Sequence, residues 1–150
     1  MGHDHSNRYK LGIKQREGES MKCVEVIPVE VENVDEVISR IGGNVQIVTA
    51  PCYEAVVHAV ILAIRAFERG TNHAKTLGGE LLLRLSGKLQ IRDAINENGV
   101  KRGLNYLVLF GEKDPEPILR ELGLRKAEAV HCDPEKLKPL MERSALVEVL

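Results

Sequence analysis

The chain has no tryptophan, and only Tyr9, Tyr53, Phe67, Tyr106 and Phe110 are aromatic. Proteins that hold a long unstructured RNA strand stack successive bases on aromatic rings, so this scarcity argues against that mode of binding. No apolar run approaches the ~20 residues of a membrane-spanning helix, and no apolar stretch follows the charged N-terminal residues as a signal peptide requires. Cysteine is sparse. Cys23, Cys52 and Cys132 are odd in number and form no C-x-x-C pair, which points to buried free thiols in a reducing cytoplasm rather than to a disulfide framework or a zinc site. There is no G-x-G-x-x-G, no Walker lysine motif and no His or carboxylate cluster at metal-ligand spacing. Ser86 stands in L-S-G rather than in the G-x-S-x-G of a nucleophile elbow. The sequence therefore predicts no cofactor, no metal and no small-molecule substrate.

What is present suits one globular domain. The 150 residues are 43% hydrophobic and 29% charged, enough to bury a core without staples. Residues 1–20 lack periodicity and read as a flexible extension; the domain is expected over 21–150. The net charge of −1 conceals a segregation. Residues 21–64 carry six acidic and two basic side chains, whereas 65–102 carry eight basic and four acidic ones. A modest local excess of this kind attracts phosphates without gripping RNA alone.

Cys23–Val31 is β-branched and partly alternating, hence a strand, with Pro28 implying an edge or a bulge. Asn33 and Asp35 cap a short helix, Val34 to Ile41, and Val45–Thr49 reads as a second strand. Tyr53–Arg69 carries a broad apolar stripe (Val56, Val57, Val60, Ile61, Ile64, Phe67) and should be the central helix, with His58 a core or boundary residue. Tyr106–Phe110 is a third strand, Pro115–Leu122 a helix and Lys126–His131 a fourth strand. Asp133-Pro134 launches a helix to about Arg143. This order predicts an α+β or α/β domain with about four strands in a mixed sheet covered by helices, helix exceeding strand. Strand order does not follow from it.

The stretch Thr76–Gly99 concentrates the information. Leu77, Leu81 and Leu85 share a helical face, Ser86-Gly87 stops the helix, and Ile91, Ala94 and Ile95 restart the rhythm before Gly99. Glu80 precedes Arg84 by one turn, the favourable order for a helical ion pair. Within it, Glu80-Leu-Leu-Leu-Arg84-Leu-Ser86-Gly87-Lys88-Leu-Gln90-Ile91 resembles the signature E-x-L-x-R-x-S-G-x-R-Q-I of the small kinase-binding subunit of the KEOPS (EKC) complex. Leu89 departs from it, standing where that family usually has arginine. The resemblance extends from about Met21 to Leu150, but only this dozen residues is specific. It implies a non-catalytic, cytoplasmic subunit that binds and regulates the complex's small atypical kinase. It also implies help in recruiting tRNA, through its 3′ CCA end, for threonylcarbamoyl modification of adenosine.

On that resemblance the RNA-facing residues are Lys75, Arg84, Ser86, Gly87, Lys88 and Gln90, with His73 beside them. The residues themselves supply charge, a glycine turn whose amides can approach phosphate, and an amide side chain suited to a base edge. The competing arrangement has Arg84 turned inward on Glu80. For the kinase, the C-terminal helix and tail present Leu140, Leu146, Val149 and Leu150 beside Glu142, Arg143 and Glu148, an apolar centre with a polar rim. Packing of that tail in its own core is equally compatible with the pattern. Two rival functions remain: a self-dimerising regulator that binds no RNA, and a small hydrolase using Glu80 and His73.

Overall fold

The computed structural model of the protein describes residues 9–14, 21–42, 44–111 and 114–149. The elements are, in chain order, β1 (Tyr9–Lys14), β2 (Met21–Val31), α1 (Val34–Arg40), β3 (Val45–Val48), α2 (Tyr53–Arg69), α3 (Leu77–Ser86), α4 (Ile91–Asn98), β4 (Gly103–Phe110), α5 (Pro115–Leu122), β5 (Arg125–Lys126) and α6 (Pro134–Leu146), closed by a 3-10 turn, Val147–Val149. The fold is α+β, with helical residues outnumbering strand residues. Contacts divide it into two compact units, residues 1–48 with 100–129 and residues 49–99 with 130–150.

The first unit is built on a sheet of order β1-β2-β4-β3, with β5 pairing the far part of β2. Every pairing is antiparallel, so the neighbours are not the mixed set expected. β2 and β3 do run parallel to each other, but β4 lies between them, and α1 makes the crossover. Part of the presumed extension is strand: Tyr9 pairs Val26 and Lys14 pairs Met21, while the other residues of 1–20 lie outside the described ones. Pro28 sits opposite Tyr106 of β4, beyond the last β1 partner at Val26 and before the first β5 partner at Val29. A residue without an N–H thus falls where the strand has one ladder neighbour instead of two. Ile27, Val29 and Val31 of β2, Ile47 of β3 and Leu107 and Leu109 of β4 form one core with Val37 of α1 and Leu119 and Leu122 of α5. Asn33 and Asp114 cap those helices, each accepting a backbone N–H through its side chain. The anticipated fourth strand shrinks to Arg125–Lys126.

The second unit is helical. Buried Val56, Ala59, Val60, Ala63 and Ile64 make α2 its spine, and Gly70, at φ 75°, ends that helix in the left-handed conformation. Cys52, immediately before α2, is disulfide-bonded to Cys132, immediately before the Asp133 cap of α6. The expectation of free thiols at these two positions is therefore corrected. A count and a spacing cannot reveal a pair 80 residues apart whose Cα atoms come within 5.5 Å. The same junction is tied three more times. Tyr53 N–H donates to Val130 O at 2.7 Å, Cys132 N–H donates to Glu54 Oε1 at 2.9 Å, and His131 Nδ1 lies 2.6 Å from Glu54 Oε2. Burial pushes the Glu54 carboxyl up, but the hydrogen bonds from Cys132 and His131 outweigh it, and the net shift is downward. Among the described residues no helix is long and apolar enough to cross a membrane.

Candidate nucleic-acid interface

The helices α3 and α4 form the anticipated hairpin. Thr76 caps α3 by accepting the Gly79 N–H at 3.0 Å. From Glu80 to Ser86 every α3 side chain is buried, polar ones included, because this short helix is covered on all sides. Glu80 is fully enclosed. Its Oε1 accepts the backbone N–H groups of His73 and Ala74, each at 2.8 Å, and its Oε2 accepts Arg84 Nε at 2.8 Å. Arg84, also without exposed surface, uses Nη1 on Glu148 Oε1 of the 3-10 turn at 2.7 Å. Buried charge survives here because both carboxylates and the guanidinium meet in hydrogen-bonding geometry.

Arg84 is thus withdrawn from the surface, and its role as an RNA contact is corrected to that of a buried strut. The i, i+4 spacing carried this possibility; Glu148, 64 residues away, left no signal in the sequence. Ser86 is corrected likewise. It is buried, its hydroxyl donates to Leu83 O at 3.3 Å and accepts the Lys88 N–H at 3.1 Å. The Gly87 N–H goes to Leu83 O, so neither amide of the turn is left to approach a phosphate. Gly87 adopts φ 74°, and a Cβ there would stand 2.5 Å from Arg143 Cγ. Arg143 Nη2 in turn donates to Leu85 O at 2.9 Å, closing the C-terminal end of α3.

Lys75, Lys88 and Gln90 remain exposed. Apolar neighbours join them: Leu89, Ile91 and Ile95 are 43%, 40% and 49% exposed, while Ala94 between them is buried. The periodicity of α4 gave one apolar stripe, but eight residues are too few to decide which apolar positions turn outward. Gly79 draws this surface together. A Cβ on it would lie 3.1 Å from Ala74 Cβ and 3.4 Å from Ile91 Cδ1, so the Lys75 loop and the start of α4 approach closely across a residue with no side chain. The ensemble is a small patch of outward aliphatic groups rimmed by Lys75, Lys88 and Arg92.

A protein of Pyrococcus abyssi (strain GE5 / Orsay) named KEOPS complex subunit Cgi121 is 40% identical to the chain over 144 residues, spanning 93% of the chain and 83% of the relative. The chain belongs to the Cgi121 family. It matches no protein-family model. Within this Cgi121-family chain, the predicted partner residues lie on α6 and the turn after it. Leu140 is half-buried, Leu146 and Val149 are 57% and 77% exposed, and Leu150 lies outside the described residues. Also along α6, His58, Pro134, Leu137, Lys138, Met141 and Glu142 line an open groove of about 380 Å³. The His58 ring is held toward its neutral form by burial and then by Arg65, and its buried Nδ1 has no hydrogen-bond partner among the described residues.

The hydrolase alternative finds no geometry at its proposed pair. Glu80 meets His73 through the backbone amide, and the His73 ring places Nε2 3.0 Å from Val147 O. A carboxylate occupied by three donors inside the core is not placed to take a proton from a substrate.

Proposed function

We propose that the protein is a non-catalytic, cytoplasmic subunit of a KEOPS complex, binding and regulating its small atypical kinase and helping to recruit tRNA by its 3′ CCA end. Membership of the Cgi121 family carries this reading. The exposed patch on the hairpin supports the RNA half. Lys75, Lys88 and Gln90 provide charge and a base-edge donor and acceptor, and Leu89, Ile91 and Ile95 provide flat contacts in place of aromatic rings. Leu89 stands where an arginine is usual in the signature, and the adjacent exposed Lys88 can supply that charge. With few cations involved, affinity should be weak in the isolated chain and fall with salt by about 0.7 log unit per log unit of salt for each phosphate contact.

The kinase surface is assigned to Leu146 and Val149, with half-buried Leu140 earlier on α6 and Leu150 next in the chain. The exposure of the first two beside Glu142, Glu148 and Arg143 supports it. The same exposure suits a second copy of the chain, which makes self-association the rival. Co-purification separates the two: recovery of a small kinase supports the proposal, and a monodisperse self-dimer without one defeats it. For RNA, the test is titration with tRNA bearing or lacking its terminal CCA at two salt concentrations. Equal affinities would remove 3′-end recognition. Lys88→Glu should abolish the CCA preference with thermal stability unchanged.

A further inference from the structure

The loop that presents Lys75 is held from two sides. From within the hairpin, Glu80 fixes the amides of His73 and Ala74, and Asn72 Nδ2 donates to Ala74 O at 2.9 Å. From the other side comes the 3-10 turn after α6. Val147 O lies 3.0 Å from His73 Nε2, and Glu148 Oε1 accepts Arg84 Nη1, with Thr71 near enough to help hold its carboxyl in the charged form. The two holds differ in kind. Glu80 is sealed in the core and belongs to the same helix as Arg84. Glu148 has a side chain 35% exposed on a single turn of three residues, a structure with weak internal hydrogen bonding that opens at small cost. Val147 is fully buried, and the residues on either side of the Val147–Glu148 pair, Leu146 and Val149, point outward.

We propose that the Val147–Val149 turn is a latch on the Thr71–Thr76 loop, and that a kinase burying Leu146 and Val149 raises RNA affinity by holding the latch shut. This rests on the reading above for the identity of the two partners. The sign follows from the geometry. Leu146 and Val149 flank the seated Val147 and Glu148 on one short turn, so a partner that packs on both at the spacing this turn sets binds the closed form better than an unwound one and draws population toward it. Linkage makes the effect mutual: tRNA should tighten the kinase contact by the same factor. Glu148 is then a positioning residue, acting on RNA through Thr71 and through Arg84–Glu80 without touching it.

The experiment uses the full chain, the kinase and a tRNA ending in CCA. In Glu148→Ala, hydrogen exchange at the His73 and Ala74 amides should rise about tenfold, as loss of a charge-assisted hydrogen bond at a half-exposed site implies, while exchange along α2 stays as it was. Glu148→Gln, which keeps the shape and drops the charge, should fall between. Adding kinase should tighten tRNA binding to the wild type severalfold and have no effect on its binding to Glu148→Ala. Unchanged exchange at His73 and Ala74 overturns the latch, whatever the RNA does. Raised exchange with the kinase effect intact overturns the coupling. If the wild-type chain binds neither kinase nor tRNA, the functional reading falls, and with it the coupling, while the exchange comparison still decides the latch.

Discussion

Removing either partner of the Glu80–Arg84 pair strands a charge where water does not reach. Arg84→Met should therefore cost about 3–5 kcal/mol in urea denaturation. The value should lie toward the lower end, because the second carboxylate, Glu148, is partly solvated and can turn to water. Glu80→Gln keeps an oxygen for the His73 and Ala74 amides and should cost less. Acid should loosen the same cluster. The hydrogen bond from Arg84, then that from Thr71, hold the Glu148 carboxyl below its ordinary 4.5. The folded chain thus keeps this group charged at pH values where the unfolded chain protonates it. Its stabilising effect is complete above the ordinary value and is lost as pH falls through the lowered one. Glu54 shifts in the same direction. Melting temperature should drop as pH falls below 4.5, and Glu148→Gln should make that drop shallower; identical acid profiles for the two proteins would contradict the assignment.

At the scale of elements, the hairpin was the most legible part of the sequence and also the most misleading. Its helices and its glycine stop are local, written in spacings of three and four and in Gly87, and they fall where those signals put them. Which side faces outward is decided by distant partners. Arg84 goes inside where Glu148 of the turn after α6 meets it, Arg143 of α6 closes the end of α3 on Leu85, and of α4 Ala94 and Asn98 are buried while Ile91 and Ile95 stay outside. Ile95→Lys should consequently leave stability within about 0.5 kcal/mol, as exposed positions do, yet weaken tRNA binding; a large loss of stability would show the residue to be core. The disulfide is the other long-range tie. Closing a loop of this length should contribute about 2–4 kcal/mol, so Cys132→Ser, or a dithiol reductant, should lower the denaturation midpoint by a corresponding amount.

At the scale of the molecule, class could be read and arrangement could not. Strands and helices announce themselves by residue type and period, so an α+β fold was in reach. That β4 lies between β2 and β3 is set by pairing across more than fifty residues, and so is the division into two units that each draw on separated stretches of chain. The opposed charges of residues 21–64 and 65–102 belong to this scale too. With tRNA on the basic stretch and the partner on apolar side chains, as proposed, they predict that salt weakens tRNA binding more than it weakens the partner contact. Parallel titrations of both from low to physiological salt check this.

The stretch 130–150 completes a unit begun at residue 49. On the ribosome, chains grow at about 5–20 residues per second, so the hairpin is synthesised seconds before Arg143 and Glu148. During that interval Arg84 has only Glu80, the end of α3 is open and the Lys75 loop lacks its outer hold. On the proposed reading, a nascent chain is thereby kept from presenting a finished RNA surface until one glutamate, Glu148, has been translated.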